Sequence, residues 1–451
     1  MRPHWPIVLL LLLASAGSAV GAATPDAPDY LIVGVTAAST QASTSASAGQ
    51  SPKPFLVQVG TRPRFELEFV DVALGTGSGF DDPMLGERRR DVAVAAFEMA
   101  GHILAGETGS ARIRLDSDSP YFGEKTLAIG LPLFQCVDGF QKPIIFDALR
   151  NDVHIHDYEG ALAVNFTQSF NDDLATPESG KHDLYTTILH EVIHVLGFVG
   201  FSVEADGRPR DCGGARMLPA IASQIMAPDG LPMWVSDGGK IRFRGQADDL
   251  PSAQRPLPLD MGEDGAGLVH LAASTLQVRG HWHDLDFAQR TGTLMADQSL
   301  PAGAERRNLT PETKAVLNRI LGYTTGSDHR GLTGSWFDPA SSGQGFSLHT
   351  IAGDRFVVYF YGFTDSGERL WLVGLSDDPL HLGGAVTVEL LQADGGSFNG
   401  FDAGLVEQSP WGRLDIRFDD CLNAQATLSG DDGTQHLSLQ RLAGVDGLHC
   451  Y

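Results

Sequence analysis

Cysteine is scarce in this chain: four residues among 451, at positions Cys136, Cys212, Cys421 and Cys450. Their wide spacing excludes a four-cysteine zinc knot, whose ligands come in close pairs. An even count in an exported chain reads instead as two disulfides, although the count alone does not choose the connectivity. Pairing Cys136 with Cys212 and Cys421 with Cys450 keeps each bridge inside one proposed domain. Basic residues are also few, 32 Lys and Arg against 56 Asp and Glu, for a net charge of −24. A surface that acidic repels phosphate backbones and anionic lipid, which argues against nucleic acid or a membrane surface as partner. It is compatible with bound divalent cations. Long apolar runs are missing too: after the first 22 residues none could cross a bilayer, so no membrane span is expected in the mature chain.

The exception lies at the very start. Arg2 and His4 precede the apolar stretch 7–13, and small residues follow as far as Ala22. A basic start, a short apolar core and a small-residue cleavage region form a secretory signal peptide over 1–22, with Ala16 and Ala19 as rival cleavage points. The mature protein is therefore expected to be secreted, extracellular or periplasmic.

Glycine and proline are abundant, 53 and 24 residues, which favours turns and β structure over a helical bundle. The length exceeds one ordinary core and predicts two folded domains. Residues 23–54 are low in complexity and read as a linker or pro-region, with no cysteine for a thiol-based zymogen switch. From 55 to 325 an α/β pattern is expected: strands near 65–70, 111–115 and 160–166, and a helix over 88–104 burying Val92, Ala95, Phe97, Ala100 and Ile103. A second helix starts at Asp183 as N-cap and stops at Gly197. A third opens at Thr310-Pro311 with Ala315, Leu317, Ile320 and Leu321 as its apolar face. The glycine- and proline-rich stretch 204–265 reads as surface excursions. Residues 330–451 alternate like short strands and predict a smaller all-β domain.

The chemistry sits on the second helix. His190 and His194 are one helical turn apart, so both imidazoles leave the same face and can share one tetrahedral Zn²⁺. Glu191 stands beside them, placed to act as general base toward a zinc-activated water. Two surface histidines on a helix are the bland alternative, disfavoured here by the apolar sequence around the pair.

A catalytic zinc needs a third protein ligand. His190-Glu191-Val192-Ile193-His194-Val195-Leu196-Gly197-Phe198 resembles the metzincin signature, whose third histidine usually follows soon after the glycine; here that position is Gly200. The delayed pair His281-Trp282, followed by Leu294-Met295-Ala296, is similar to the leishmanolysin-like branch of metzincins. That resemblance implies His281 as third ligand, Met295 as the Met-turn beneath the metal, and an α+β metzincin-like zinc peptidase domain. His283, nearer to Met295, is the rival third ligand. The implied activity is that of a zinc metalloendopeptidase on protein or peptide substrates. The alternative is a secreted adhesion or binding protein whose peptidase domain has lost activity; hydrolysis of a non-peptide amide is a further rival.

Other candidates lack such a motif. Glu204, His154, His156, His182 and His270 read as surface or hydrogen-bonded residues, and His349 and His436 belong to the β domain. Asp81-Asp82 and Asn171-Asp172-Asp173 are candidate structural Ca²⁺ ligands, with a polar loop the preferred reading. Trp336, Phe337, Phe346, Tyr359, Tyr361 and Trp371 could form a face for a glycan or cell surface, or fill the β core; the core reading is preferred.

Overall fold

The computed structural model describes residues 33–35 and 55–450, except 254, 262–267, 284–293, 297–300, 308, 327–328, 352–354, 381, 446–447 and 449. The expected signal peptide 1–22, and all of 23–54 but three residues, lie outside the described part. The chain divides into two compact units, 1–307 with 312–326, and 308–311 with 327–451. Among the described residues no helix is long and apolar enough to cross a membrane.

The first unit opens with β1 (Val33–Val35), β2 (Leu56–Val59), β3 (Arg64–Phe69), helix α1 (Val70–Leu74) and helix α2 (Gly86–Ile103). Next come β4 (Ser110–Asp116), β5 (Ala128–Gln135), β6 (Gly139–Gln141), α3 (Ile144–Asn151) and β7 (Gly160–Val164). Five of these strands join β1 in a mixed sheet of order β1-β5-β7-β4-β3-β2, with β6 outside it. In β3 the odd positions Phe65, Leu67 and Phe69 are fully buried, while the glutamates between them are partly open. Such period-two alternation fits a sheet with one face on a core. Ile113 and Leu115 of β4 join that face, and α2 covers it with Val92, Ala96, Phe97 and Ala100. Phe65 meets Phe97 edge to face at 5.3 Å. Each aromatic buried this way contributes on the order of 2 kcal/mol.

The sequence reading needs four corrections here. In α2, Ala95 is only half-buried and Ala93 and Ala96 take the inward places. Strand β5 had no counterpart in the expectation, because Gly130 and Pro132 interrupt its apolar run and both weaken a strand pattern. The stretch 204–265 is not a set of excursions but carries small sheets. It holds β11 (Asp211–Cys212), β12 (Ala215–Pro219), β13 (Trp234–Asp237), β14 (Lys240–Phe243) and β15 (Leu257–Asp260). Trp234 anchors this region, fully buried, with its indole N–H donating to the Gly207 carbonyl at 2.8 Å. Finally, the helix at Pro311–Ala315 continues as a π-helical turn, Val316–Ile320. The wider turn rotates the buried face, so Val316, Leu317 and Leu321 point inward while Ala315 and Ile320 stay half-exposed.

The part that carries His190, His194 and His281 is framed by β8 (Phe170–Asn171), β9 (His182–Asp183), α4 (Leu184–Val195), β10 (Phe201–Ser202), β16 (Leu268–Ser274) and β17 (Gln277–Trp282). Helix α4 packs on α2 and against β5 and β7. Strands β10-β17-β16-β15 form a second sheet.

The second unit is a closed barrel of eight strands, every neighbour antiparallel. They are β18 (Gly334–Phe337), β19 (Gly345–Thr350), β20 (Phe356–Phe363), β21 (Arg369–Leu375), β22 (Ala385–Asp394), β23 (Glu407–Phe418), β24 (Asn423–Gly430) and β25 (Gly433–Gly444). Closure removes free sheet edges. The aromatic residues split between its two surfaces. Trp336 and Phe346 are 1% and 3% exposed and fill the interior, whereas Tyr361 and Trp371 are 51% and 45% exposed on the outside. The core reading therefore holds for the first pair and fails for the second.

Both disulfides form, Cys136–Cys212 and Cys421–Cys450, with sequence separations of 76 and 29. The second ties the C-terminal end to the barrel, and both its cysteines are buried. Closing a loop of that size restricts the unfolded chain by about 3–4 kcal/mol. Replacing Cys421 and Cys450 by alanine together is expected to lower barrel stability by roughly that amount. Denaturant unfolding followed by tryptophan fluorescence measures it, and unit-one secondary structure should be unchanged.

Candidate metal centre

Helix α4 is fixed at both ends by identifiable bonds. At the start Asp183 is the N-cap: its Oδ2 accepts the Thr186 N–H at 3.2 Å and the Thr186 hydroxyl at 2.6 Å. Arg307 forks the same carboxylate, donating from Nε at 2.8 Å and from Nη2 at 2.7 Å. A bidentate charge-assisted pair of this kind fixes orientation as well as position. At the far end Gly197 has φ +111°, and a Cβ there would lie 3.0 Å from the Pro143 ring. The Phe198 N–H donates to the Ile193 carbonyl and the Gly197 N–H to that of His194, the paired bonds of a Schellman turn. Between these ends every α4 residue is buried except His190, which is half-buried.

The turn does more than end the helix. It swings the Phe198 carbonyl back to accept the Nδ1 proton of His194 at 2.6 Å. His190 donates its own Nδ1 proton to the carbonyl of Leu294, 2.7 Å away. A carbonyl can only accept, so both rings carry their proton on Nδ1 and turn a bare Nε2 lone pair inward.

The third imidazole arrives on β17. That strand is drawn against the segment after α4 by pairing of Phe201 with Val278 and Ser202 with Gln277. Gly280 permits the approach, since a Cβ there would sit 2.7 Å from Gly200 N and 2.8 Å from Val199 Cα. Next to it His281 is 1% exposed. Its Nε2 stands 3.0 Å from that of His190 and 3.2 Å from that of His194, while the two helical Nε2 atoms are 3.1 Å apart. These three residues form a group that could hold a metal ion. Trp282, fully buried, donates its backbone N–H to the Met295 carbonyl and its indole N–H to Thr313 Oγ1. Met295 is likewise fully buried, beside the Leu294 carbonyl that orients His190.

Burial lowers the basicity of all three rings. Desolvation pushes His190 down to about 4, opposed by its bond to the Leu294 carbonyl. His194 is lowered by burial first and by His190 second; His281 by burial first and then by the two helical histidines. Protons are therefore poor company for this triangle at neutral pH.

Glu191 is 3% exposed and its Oε2 accepts the Gly130 N–H of β5. Gly130 is the functional residue that sequence reasoning missed. A Cβ on it would lie 2.5 Å from the Glu191 carbonyl, 3.0 Å from His194 Cβ and 3.1 Å from Glu191 Oε2. A glycine inside an apolar strand is the signal of such a close approach, but it only becomes readable once the strand is recognised.

The structure leaves the remaining candidates outside the triangle. His283 lies beyond the end of β17 and does not join the group. His154 bonds Glu159 and Asp152, His156 the Tyr158 carbonyl, and Glu204 is exposed. The acidic pairs considered for Ca²⁺ serve as local caps and ion pairs instead. Asp81 accepts the Gly77 N–H, Asp82 those of Met84 and Leu85, Asp172 pairs with Arg89, and Asp173 bonds Asn171 and Ala175. Among the described residues no second group of His, Cys, Asp or Glu is arranged to hold a metal.

No protein-family model, curated protein or solved structure matches the chain.

Gly130→Ala should separate the site from the fold. The added methyl meets backbone, which cannot swing away, so Glu191 and His194 must shift. Metal affinity is expected to fall by about ten- to a hundredfold, read by competition with a chromogenic chelator, while circular dichroism stays that of the parent. Undiminished affinity would show that β5 does not constrain the histidines.

Proposed function

We propose that this protein is a secreted zinc-dependent endopeptidase of the metzincin type, similar to the leishmanolysin-like branch. The observation that carries the reading is the triangle of three Nε2 atoms with a buried glutamate beside it. Two of these nitrogens are committed as acceptors by their Nδ1–carbonyl bonds, so no hydrogen bond can join them at 3.1 Å. Lone pairs at that distance repel unless a cation lies among them. Three ligands of a tetrahedral zinc, at bonds of about 2.0–2.1 Å, lie about 3.3 Å apart, close to the spacing found. Three neutral imidazoles, with no fourth His, Cys, Asp or Glu in the group among the described residues, would suit Zn²⁺ in a catalytic rather than a structural site.

When bound, zinc supplies Lewis acidity that polarises the scissile carbonyl and acidifies the attacking water. The rest is the work of the chain. His190, His194 and His281 bind through Nε2, and the Leu294 and Phe198 carbonyls hold two of them in the right tautomer. Glu191 takes the proton from water as oxygen adds to the carbonyl carbon, then returns it to the amine nitrogen as the C–N bond breaks. The Gly130 N–H keeps that carboxylate aimed. Secretion is supported by the signal-peptide pattern of 1–22 and by the two disulfides, which persist in oxidising compartments.

Zinc content and casein hydrolysis of the mature protein test the proposal. One zinc per chain is expected. Glu191→Gln should keep the metal and lose about 10²–10⁴ in rate, the usual worth of a general base. His281→Ala should lose zinc, whereas His283→Ala should keep both zinc and activity; the reverse pattern would transfer the third-ligand role to His283. Zinc occupancy should fall as pH falls, because only unprotonated imidazoles bind. A zinc-free, inert parent protein would sink the peptidase reading and favour the adhesion alternative.

A further inference from the structure

The outside of the barrel carries a second feature, independent of the metal centre. Strands β19, β20 and β21 present Tyr359, Tyr361 and Trp371 on one continuous outward face. Tyr361 and Trp371 are direct cross-strand partners, and Tyr361 also pairs with Gly345. Tyr359 and Trp371 hold their ring planes parallel within 8°, centroids 6.3 Å apart. His349 props Tyr359 edge-on at 6.0 Å. Phe363 and Leu375, 51% and 48% exposed, extend the apolar surface. Large aromatics gathered in the open on one face mark an interaction site.

The charge pattern narrows the partner. The chain has a net charge of −24, yet no carboxylate projects from the outward positions of these three strands. Arg369 and His349 are the only basic side chains there. The next strands are different: their outward rows carry Glu389, Arg413, Asp415 and Arg417, with Thr387 donating to Asp415. At the rim the Gln344 side-chain amide donates to Gln435 Oε1 at 3.1 Å, and both amides keep further hydrogen-bonding capacity.

We propose that this face binds an uncharged polysaccharide. A pyranose ring offers a flat face of C–H bonds and a belt of hydroxyls. The C–H face stacks on an aromatic ring, and the hydroxyls need amide and phenol groups at the edge. The exposed Tyr361 and Trp371 rings, carried on neighbouring strands of a closed sheet, offer that stacking surface. An uncharged chain incurs no repulsion from the acidic remainder of the protein, whereas an anionic one would.

Affinity electrophoresis of the full-length protein through gels containing hydroxyethylcellulose, with sedimentation on insoluble cellulose and on chitin, tests this. Retention on at least one of these neutral glycans is expected, with none in an alginate gel. Tyr361→Ala and Trp371→Ala should each weaken retention about tenfold, as expected for one lost stacking contact. Trp371→Phe, which keeps a ring and guards against misfolding, should retain most of it. His436→Ala, on another part of the barrel wall, should change nothing. Absence of retention on all three neutral glycans, retention by alginate alone, or full retention by a folded Tyr361→Ala/Trp371→Ala double variant would overturn the proposal. Casein hydrolysis is read separately, so failure of either function leaves the other standing.

Discussion

Three imidazole nitrogens converge on one buried point, and two of them have no proton to offer. That convergence is unfavourable on its own, and the surrounding structure exists to impose it. Asp183 and Arg307 fix where α4 begins; Gly197 fixes where it ends and aims a carbonyl at His194. Gly280 lets β17 lie close enough to deliver His281, and Gly130 lets β5 reach Glu191. Each device is local, but all are solutions to the same problem of holding like dipoles together in a group that could hold a metal ion. Pre-organisation of this kind moves the energetic penalty of assembly from binding into folding.

Much of this was legible in the sequence, for definite reasons. A four-residue spacing on a helix has one geometric consequence, so His190, Glu191 and His194 could be placed without further information. Asp183 and Gly197 announced their capping roles through their chemistry. The contribution of His281 could not be reached that way: it stands 87 residues beyond His194, and only the resemblance suggested it. Gly130 was hidden because its meaning depends on what lies across from it. The carbonyls of Leu294 and Phe198 are unreadable in principle, since every residue carries one.

The barrel shows the opposite limit. Alternation along β20 revealed that Tyr359 and Tyr361 share a face, but not which face was inward. A closed sheet offers an inside and an outside of equal periodicity, and hydrophobic residues occur on both. Here the larger aromatics went outward and Phe356, Val358 and Phe360 went in. Period gives the partition; only closure gives its sign.

The Cys136–Cys212 bridge encloses the whole of α4 in a covalent ring that supplies two of the three imidazoles. The third comes from outside that ring. An ion held by all three would therefore create a second, coordinate loop from 194 to 281, overlapping the covalent one between 194 and 212. Thiol oxidation and chelation are then two interlocking cross-links of different chemistry, one answering to redox potential and the other to free metal. The integrity of such a centre would then depend on two properties of its compartment at once.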